Sequence, residues 1–140
     1  MFITDIKNRV RNFLGKMIMK KIIPTMPEIN DRPRILILGI YLTDRMNSAS
    51  HIMEELSKSK LCEVTQKWVA IGDSVPNDCS RFTVNKISKT PKFEILNKLL
   101  FESDSLKFDF IIISDDDIYL PKNFLDGFVS RQVDCKFDLA

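Results

Sequence analysis

Three consecutive aspartates, Asp115, Asp116 and Asp117, are the residues whose type and spacing point most directly to chemistry. They follow the apolar segment FDFIIIS, and carboxylates this close together repel one another unless a cation lies among them. Carboxylate oxygens suit Mg²⁺ or Mn²⁺, which usually retain several waters and take up substrate phosphates. Along an extended backbone Asp115 and Asp117 point to one side and Asp116 to the other. The triplet therefore predicts a D-x-D metal site in which the cation neutralises a departing phosphate; a solvated acidic turn is the alternative.

A second pair of polar residues, Lys92 and Asn97, lies upstream in the segment TPKFEILNKLL. The apolar spacing of this segment predicts a helix that begins near Pro91. The helix dipole does not favour a lysine at a helix N-terminus, and a phosphate bound nearby would account for Lys92. The alternatives are a solvent-exposed lysine and a surface asparagine, and both stay open at this point.

The elements that must position these residues alternate regularly along the chain. Apolar runs of strand length alternate with segments of helical spacing, which predicts an α/β domain with a mainly parallel sheet. In such sheets ligands bind beyond the carboxyl ends of the strands, where the aspartate triplet lies. The predicted strands cover 34–42, 64–72 and 108–114, and a further strand starts at 136–140. The predicted helices pass through Ile52 to Leu56, Phe93 to Leu100 and Pro121 to Phe128. Residues 72–81 form a predicted loop.

Residues 2–23 differ from the rest of the chain in charge and pattern. Their apolar side chains form one stripe of a predicted amphipathic helix, and six Lys or Arg against Asp5 give this stretch a net charge of +5. Pro24 and Pro27 end the helix and begin a linker. Two interpretations stay open: the helix packs on the domain or on a missing segment, or it lies on an anionic membrane surface. We therefore divide the chain into a basic helix with its linker, 1–32, and a domain, 33–140.

Composition excludes several classes of function. Outside residues 1–23, fifteen basic and eighteen acidic side chains give a net charge of −3, so we expect no nucleic-acid partner. The three cysteines form no CxxC pair and the single histidine has no ligand partner in sequence, which argues against zinc. No apolar run reaches the roughly 20 residues of a membrane span, and basic residues interrupt every candidate signal peptide. The expected location is the cytoplasm with reduced thiols, or the membrane surface if residues 2–23 bind there.

The order of these motifs resembles that of a known enzyme family. The order begins with K-x-x-x-L-N-x-x-L, continues with an apolar strand, and ends with D-x-D, which has a proline four residues on and F-L after it. This order is similar to that of family 2 glycosyltransferases of the GT-A fold. The resemblance spans roughly residues 33–140 and implies the Rossmann-like half that binds a nucleotide-sugar. The matching residues are Lys92, Leu96, Asn97, Asp115, Asp117, Pro121, Phe124 and Leu125.

The resemblance also implies roles for individual residues. Asp117 would hold an Mn²⁺ or Mg²⁺ ion that bridges the diphosphate of a UDP- or GDP-sugar. Asp115, a second metal ligand, would approach the ribose or uracil side, and Lys92 and Asn97 would border the donor pocket. Further substrate contacts are implied after the first two strands, where Asp44 and Arg45 would face the base and Asp73 would help to hold the base or ribose.

The chain departs from the family pattern in two places. LTDRMNSAS follows the first strand where the family commonly has an Asn- or Glu-rich loop, which bears on the base contacts. The family's general base lies in a second half that would follow Ala140, so no catalytic residue is named and we expect a chain truncated at its C-terminus. Family likeness implies inversion of the anomeric centre, with an unknown acceptor.

Three functions therefore compete. The first is sugar transfer by a metal-dependent glycosyltransferase, and the second is a non-catalytic or truncated fragment that binds a nucleotide-sugar. The third is an Mg²⁺-dependent phosphotransferase or phosphatase with Asp115 as nucleophile. The bulky residues IYLP after Asp117 fit the third function poorly.

Overall fold

A four-stranded parallel sheet with helices on both faces forms the protein over residues 32–135, the part of the chain that the computed structural model describes. The spatial order of the strands is β3-β2-β1-β4. The predicted α/β class with a mainly parallel sheet is thereby confirmed. The elements are β1 Arg34–Leu42, α1 Ala49–Ser57, β2 Glu63–Ile71, β3 Thr83–Ile87, α2 Lys92–Glu102, a 3-10 turn Ser105–Lys107, β4 Phe110–Ser114 and α3 Phe124–Cys135.

Strand β1 lies in the middle of the sheet, and its sequence shows why. It pairs with β2 from Arg34 to Leu42 and with β4 from Ile35 to Gly39, so its backbone bonds on both sides. Side chains of the run ILILGIY are buried on both faces, as a central parallel strand requires. The continuous apolar run therefore becomes a strand that water does not reach.

Two separate hydrophobic cores lie on the two faces of the sheet. Helices α1 and α3 cover one face, where they pack on residues such as Tyr41 and Trp68. Helix α2 covers the other face, over Leu36 and Leu38. Gly39 lies where the Trp68 ring crosses β1, and a Cβ added there would come within 2.2 Å of the ring carbon Cε3. Only glycine lets the indole pack this close to the central strand.

A buried polar residue fixes helix α1 on the sheet. The amide of Gln66 donates from Nε2 to the carbonyl of Met53 at 2.8 Å, and its Oε1 accepts the Trp68 indole N–H at 3.0 Å. Gln66 is buried, so each of these bonds offsets the cost of removing a polar group from water. Asn47 lies just before the N-cap residue Ser48, and its Oδ1 accepts the N–H of Ala49, the first residue of the helix, at 3.0 Å.

The predicted loop after β2 leads into a strand that the pattern did not predict. Strand β3, with the sequence TVNKI, pairs with β2 at the edge of the sheet. None of its side chains is fully buried, so it has no apolar run of the kind that marks the other strands. An edge strand of five residues leaves little trace in the sequence.

Two helices differ in detail from the prediction. Phe93 does not belong to the buried face of α2 because it is 62% exposed; Ile95, Leu96, Leu99 and Leu100 form that face. Helix α3 is longer than the short helix expected and begins at Phe124, after a turn that follows Pro121.

The helix and linker predicted over 1–32, apart from Arg32, and the strand predicted at 136–140 lie outside the described residues. Within residues 32–135, every helix is too short or too polar to cross a bilayer.

Candidate functional site

The candidate site lies at the edge of the sheet where the parallel strands have their carboxyl ends. Segments 43–48 and 115–123 leave this edge from β1 and β4, which are hydrogen-bonded neighbours. Because all four strands run the same way, side chains in these segments come together although they are distant in sequence.

Asp116 joins the two segments from a buried position. It is 5% exposed, and its Oδ2 accepts the N–H of Leu42 at 2.9 Å. Its Oδ1 lies 3.4 Å from the Nη2 of Arg45, and its backbone carbonyl accepts the N–H of Ser48 at 2.7 Å. A buried carboxylate needs such donors to offset its desolvation. Asp116 therefore fixes the end of β4 to the loop after β1, a structural role that the sequence did not reveal.

Asp115 and Asp117, in contrast, are exposed. The burial order of the triplet is exposed–buried–exposed, as expected from alternation, although Asp116 and Asp117 lie in a bend after β4 and not in an extended strand. One carboxylate oxygen from each of the three residues lies within 4.8 Å of the others. With Asp116 committed to Leu42 and Arg45, Asp115 and Asp117 are the two carboxylates left to bind a ligand.

Lys92, which the resemblance places at the border of the donor pocket, lies beside the triplet. It is the first residue of α2, and its Nζ forms an ion pair with the Oδ1 of Asp115. Arg45 gives Asp116 a cationic partner in the same way. The repulsion among the aspartates, which alone suggests a bound cation, is thus partly offset by two basic side chains of the protein. Among residues 32–135, no basic side chain forms an ion pair with Asp117.

The other predicted site residues are less closely connected to the triplet. Asp44 is exposed in the loop beside Arg45, and its side chain makes no hydrogen bond within the described part of the chain. Asp73 is exposed after β2, where its backbone carbonyl accepts the Nζ of Lys86 at 2.8 Å. Asn97 is half-buried on the second turn of α2, and no described hydrogen bond joins it to the aspartates. Lys92 and Arg45 are therefore the two predicted substrate-binding residues that contact the triplet.

An aromatic pair that the sequence did not predict lies immediately beyond the triplet. The rings of Tyr119 and His51 stack with centroids 4.4 Å apart and an angle of 6° between their planes. The Nε2 of His51 donates to the carbonyl of Leu120 at 2.9 Å, because a carbonyl oxygen can only accept. The two stacked residues lie 68 positions apart, and local spacing carries no information about such a pair.

Two surface depressions lie away from the aspartates. One of about 220 Å³ is lined by residues that include Pro33, Cys62 and Val133. The other, of about 280 Å³, lies between α1 and the segment before β3, with Glu54 and Arg81 in its wall. Neither depression is lined by a residue of the triplet. The case for a site at the triplet therefore depends on its charged groups and not on a cavity.

The two buried cysteines, Cys62 and Cys79, are poor candidates for a nucleophile. Burial and the neighbouring Asp78 raise the pKa of Cys79 to about 11, and burial also raises the pKa of Cys62. Both thiols therefore stay protonated near neutral pH, and a protonated thiol is a poor nucleophile. Cys135 is exposed at the end of α3. All three are free, as expected from the sequence.

Comparisons of the chain with protein-family models, with curated proteins and with solved structures found no match.

Proposed function

We propose that the carboxyl edge of the sheet binds a divalent cation together with the diphosphate of a nucleotide-sugar, as the donor-binding half of a GT-A-like glycosyltransferase. The observation that carries the proposal is that the aspartates of the triplet differ in burial and in their contacts. Asp116 is buried and holds the segment in place, whereas Asp115 and Asp117 are exposed, and one carboxylate oxygen of each of the three lies within 4.8 Å of the others.

The residues present fit Mn²⁺ or Mg²⁺. Mg²⁺ is usually held in proteins by one or two carboxylates, with waters and substrate phosphates completing its shell. Asp115 and Asp117 supply two carboxylates, and their exposure leaves room for water and phosphate. When bound, the cation would neutralise the charge that develops on a departing diphosphate.

Lys92 can exchange its partner Asp115 for a phosphate oxygen when a nucleotide binds. Its ammonium group pairs with Asp115 and, from the first turn of α2, lies next to the proposed phosphate position. If the cation takes Asp115, Lys92 is released and its charge stabilises a phosphate oxygen instead. The ion pair between Lys92 and Asp115 thus keeps the site balanced before the ligand arrives.

The loop after β1 would hold the nucleoside. Arg45 is bound to Asp116 through one nitrogen, its remaining donors are free to meet a polar ligand, and Asp44 lies exposed beside it. The resemblance to family 2 glycosyltransferases supports the same placement. No general base is assigned to the described residues, so the proposal covers donor binding and leaves the acceptor open. A non-catalytic nucleotide-sugar-binding protein shares this geometry.

Thermal unfolding with nucleotides and metal tests the proposal. We expect UDP or GDP, or their sugars, to raise the melting temperature in Mn²⁺, because a ligand at 100 times its Kd adds about 2.7 kcal/mol to the free energy of unfolding. For a domain of this size that corresponds to a shift of roughly 5–15 °C. Asp117→Ala should lose the metal-dependent part of the shift.

The matched control is Asp134→Ala, which removes an exposed aspartate from the last turn of α3 and should keep the full shift. If no nucleotide changes the melting temperature of the unmodified chain in Mn²⁺, the proposed function is wrong. Sugar release from the donor, tested with the same samples, separates an enzyme from a binding protein.

A further inference from the structure

Tyr119 presents one face of its ring to solvent beside the aspartate triplet. It lies two residues beyond Asp117 and is 79% exposed. Its other face is covered by His51, since the two rings are nearly parallel at 4.4 Å. A large aromatic side chain this exposed contributes little to folding through burial. The face of the ring that is turned away from His51 is therefore available to a ligand.

The stacked pair is held firmly from behind. His51 lies in the first turn of α1, and its Nε2 donates to the carbonyl of Leu120, the residue after Tyr119. Leu120 is itself buried and anchors the segment in the core. The orientation of the Tyr119 ring is thus set before any ligand binds, which lowers the entropy lost on binding.

We propose that this aromatic platform, the free face of Tyr119 with His51 behind it, stacks the nucleobase of the nucleotide whose diphosphate binds at Asp115 and Asp117. The proposal rests on the proposed function and adds a residue and a contact to it. Aromatic rings stack on the planar face of any base, so the platform would accept uracil and guanine alike.

Position favours the base over the other parts of the ligand. His51 lies in the first turn of α1, which follows the loop that carries Asp44 and Arg45, whereas Lys92 begins α2 on the opposite face of the sheet. The platform and the polar residues of the β1 loop therefore lie on the same side of the triplet. Two residues of extended chain span at most about 7 Å, so the Tyr119 ring and Asp117 are within reach of one nucleotide.

Binding titrations with Tyr119→Ala and Tyr119→Phe test the platform, with UDP, GDP, a UDP-sugar, a GDP-sugar and inorganic pyrophosphate as ligands in Mn²⁺. We expect Tyr119→Ala to weaken UDP and GDP binding by roughly 5- to 150-fold, the range that loss of one base–aromatic stack produces. Tyr119→Phe keeps the ring and should bind nucleotides as the unmodified chain does. Pyrophosphate has no base, so its affinity should be the same in all three proteins.

Each other outcome contradicts the platform in a distinguishable way. If Tyr119→Ala binds UDP and GDP normally, the platform is wrong and the metal–diphosphate site stands. If Tyr119→Ala loses only the extra affinity of a nucleotide-sugar over its nucleotide, the ring contacts the sugar and not the base. If the unmodified chain binds neither pyrophosphate nor nucleotide in Mn²⁺, the proposed function fails and the platform fails with it. Circular dichroism checks that the exposed substitutions leave the fold intact.

Discussion

At the scale of single residues, the three neighbouring aspartates have different environments although their carboxylates lie close together. Asp116 points into the protein and accepts hydrogen bonds from Leu42 and Arg45, and its neighbours point outward. The extended-chain prediction gave the right order of burial, but Asp116 and Asp117 lie in a bend after β4 and the three carboxylates stay close together. The identity of the partners could not be predicted, since Leu42 and Arg45 are more than 70 residues away along the chain. For the same reason the contact between Tyr119 and His51 could not be predicted from the sequence.

The Lys92–Asp115 ion pair leads to a prediction that separates metal binding from nucleotide binding. Lys92→Gln removes a cation that competes with Mn²⁺ for Asp115, so we expect Mn²⁺ alone to bind more tightly, by up to about fivefold for a pair this exposed. The same change removes a cation from the phosphates, so UDP in saturating Mn²⁺ should bind more weakly. Isothermal titration calorimetry measures both affinities.

Lys98→Gln is the matched control, because Lys98 lies on the same helix and pairs with Glu102 away from the triplet. It should leave both affinities unchanged. A Lys92→Gln protein that binds Mn²⁺ and UDP as the unmodified chain does would show that the ion pair has no part in ligand binding.

At the scale of elements, two acidic residues connect α1, α3 and the turn between α1 and β2. Glu55 is buried on α1, and its Oε1 accepts the N–H of Asn123 at 2.7 Å just before α3 begins. Asn123 has a φ of 60°, a left-handed conformation that asparagine tolerates better than most residues. Asp126, in the first turn of α3, accepts the hydroxyl of Ser59 and the N–H groups of Lys60 and Leu61. These contacts set the direction of α3 after the triplet.

Asp126 should stabilise the fold in a pH-dependent way. Partial burial raises the pKa of Asp126, but the hydrogen bonds from Ser59, Lys60 and Leu61 outweigh it, and the pKa lies below its ordinary value of 3.8. A carboxyl whose pKa is lower in the folded state adds stability above its ordinary pKa, and that stability is lost as pH falls through the folded value. Asp126→Ala should therefore lower the free energy of unfolding near neutral pH by about 1–3 kcal/mol.

Urea denaturation at a series of pH values measures this effect. The difference between the unmodified chain and Asp126→Ala should be full near neutral pH and should shrink as the pH falls below 3.8. Asp134→Ala, on the same helix, serves as the control and should show little difference at any pH. A gap between the two curves that stays constant into acid would mean that the ionised carboxylate is not what stabilises the turn.

Element positions follow from the sequence where burial is strong and become uncertain where it is weak. Strand β1 has the predicted bounds, because nearly every side chain in it is buried and the apolar run reports this directly. The predicted strand 64–72 begins and ends one residue earlier in the structure. Strand β3 left no such signal because its side chains are exposed or half-exposed, and its existence depends on backbone pairing with β2.

At the scale of the whole molecule, the parallel direction of the strands brings residues that are distant in sequence together at one edge of the sheet. Four strands that all run the same way bring the ends of β1 and β4 together, and helices beginning at Ala49 and Lys92 start at the same edge. This much could be predicted from the alternation of strands and helices. The pairing of Asp116 with the β1 loop, which fixes the edge, needed the three-dimensional structure. Contact of residues 2–23 with a membrane stays a prediction.

The central claim is that Asp115 and Asp117 hold a divalent cation at this edge, and electron paramagnetic resonance of Mn²⁺ tests it most directly. Free Mn²⁺ gives a strong signal that falls on binding, so a titration in the presence of UDP counts sites and gives their affinity. We predict one Mn²⁺ site per chain, with the same affinity in Asp134→Ala. Loss of a residue that only supports a metal ligand weakens metal affinity by roughly 10- to 100-fold, and we expect Asp117→Ala, which removes a ligand itself, to weaken it by more. Equal Mn²⁺ binding by Asp117→Ala and the unmodified chain would contradict the claim, and so would no binding by either.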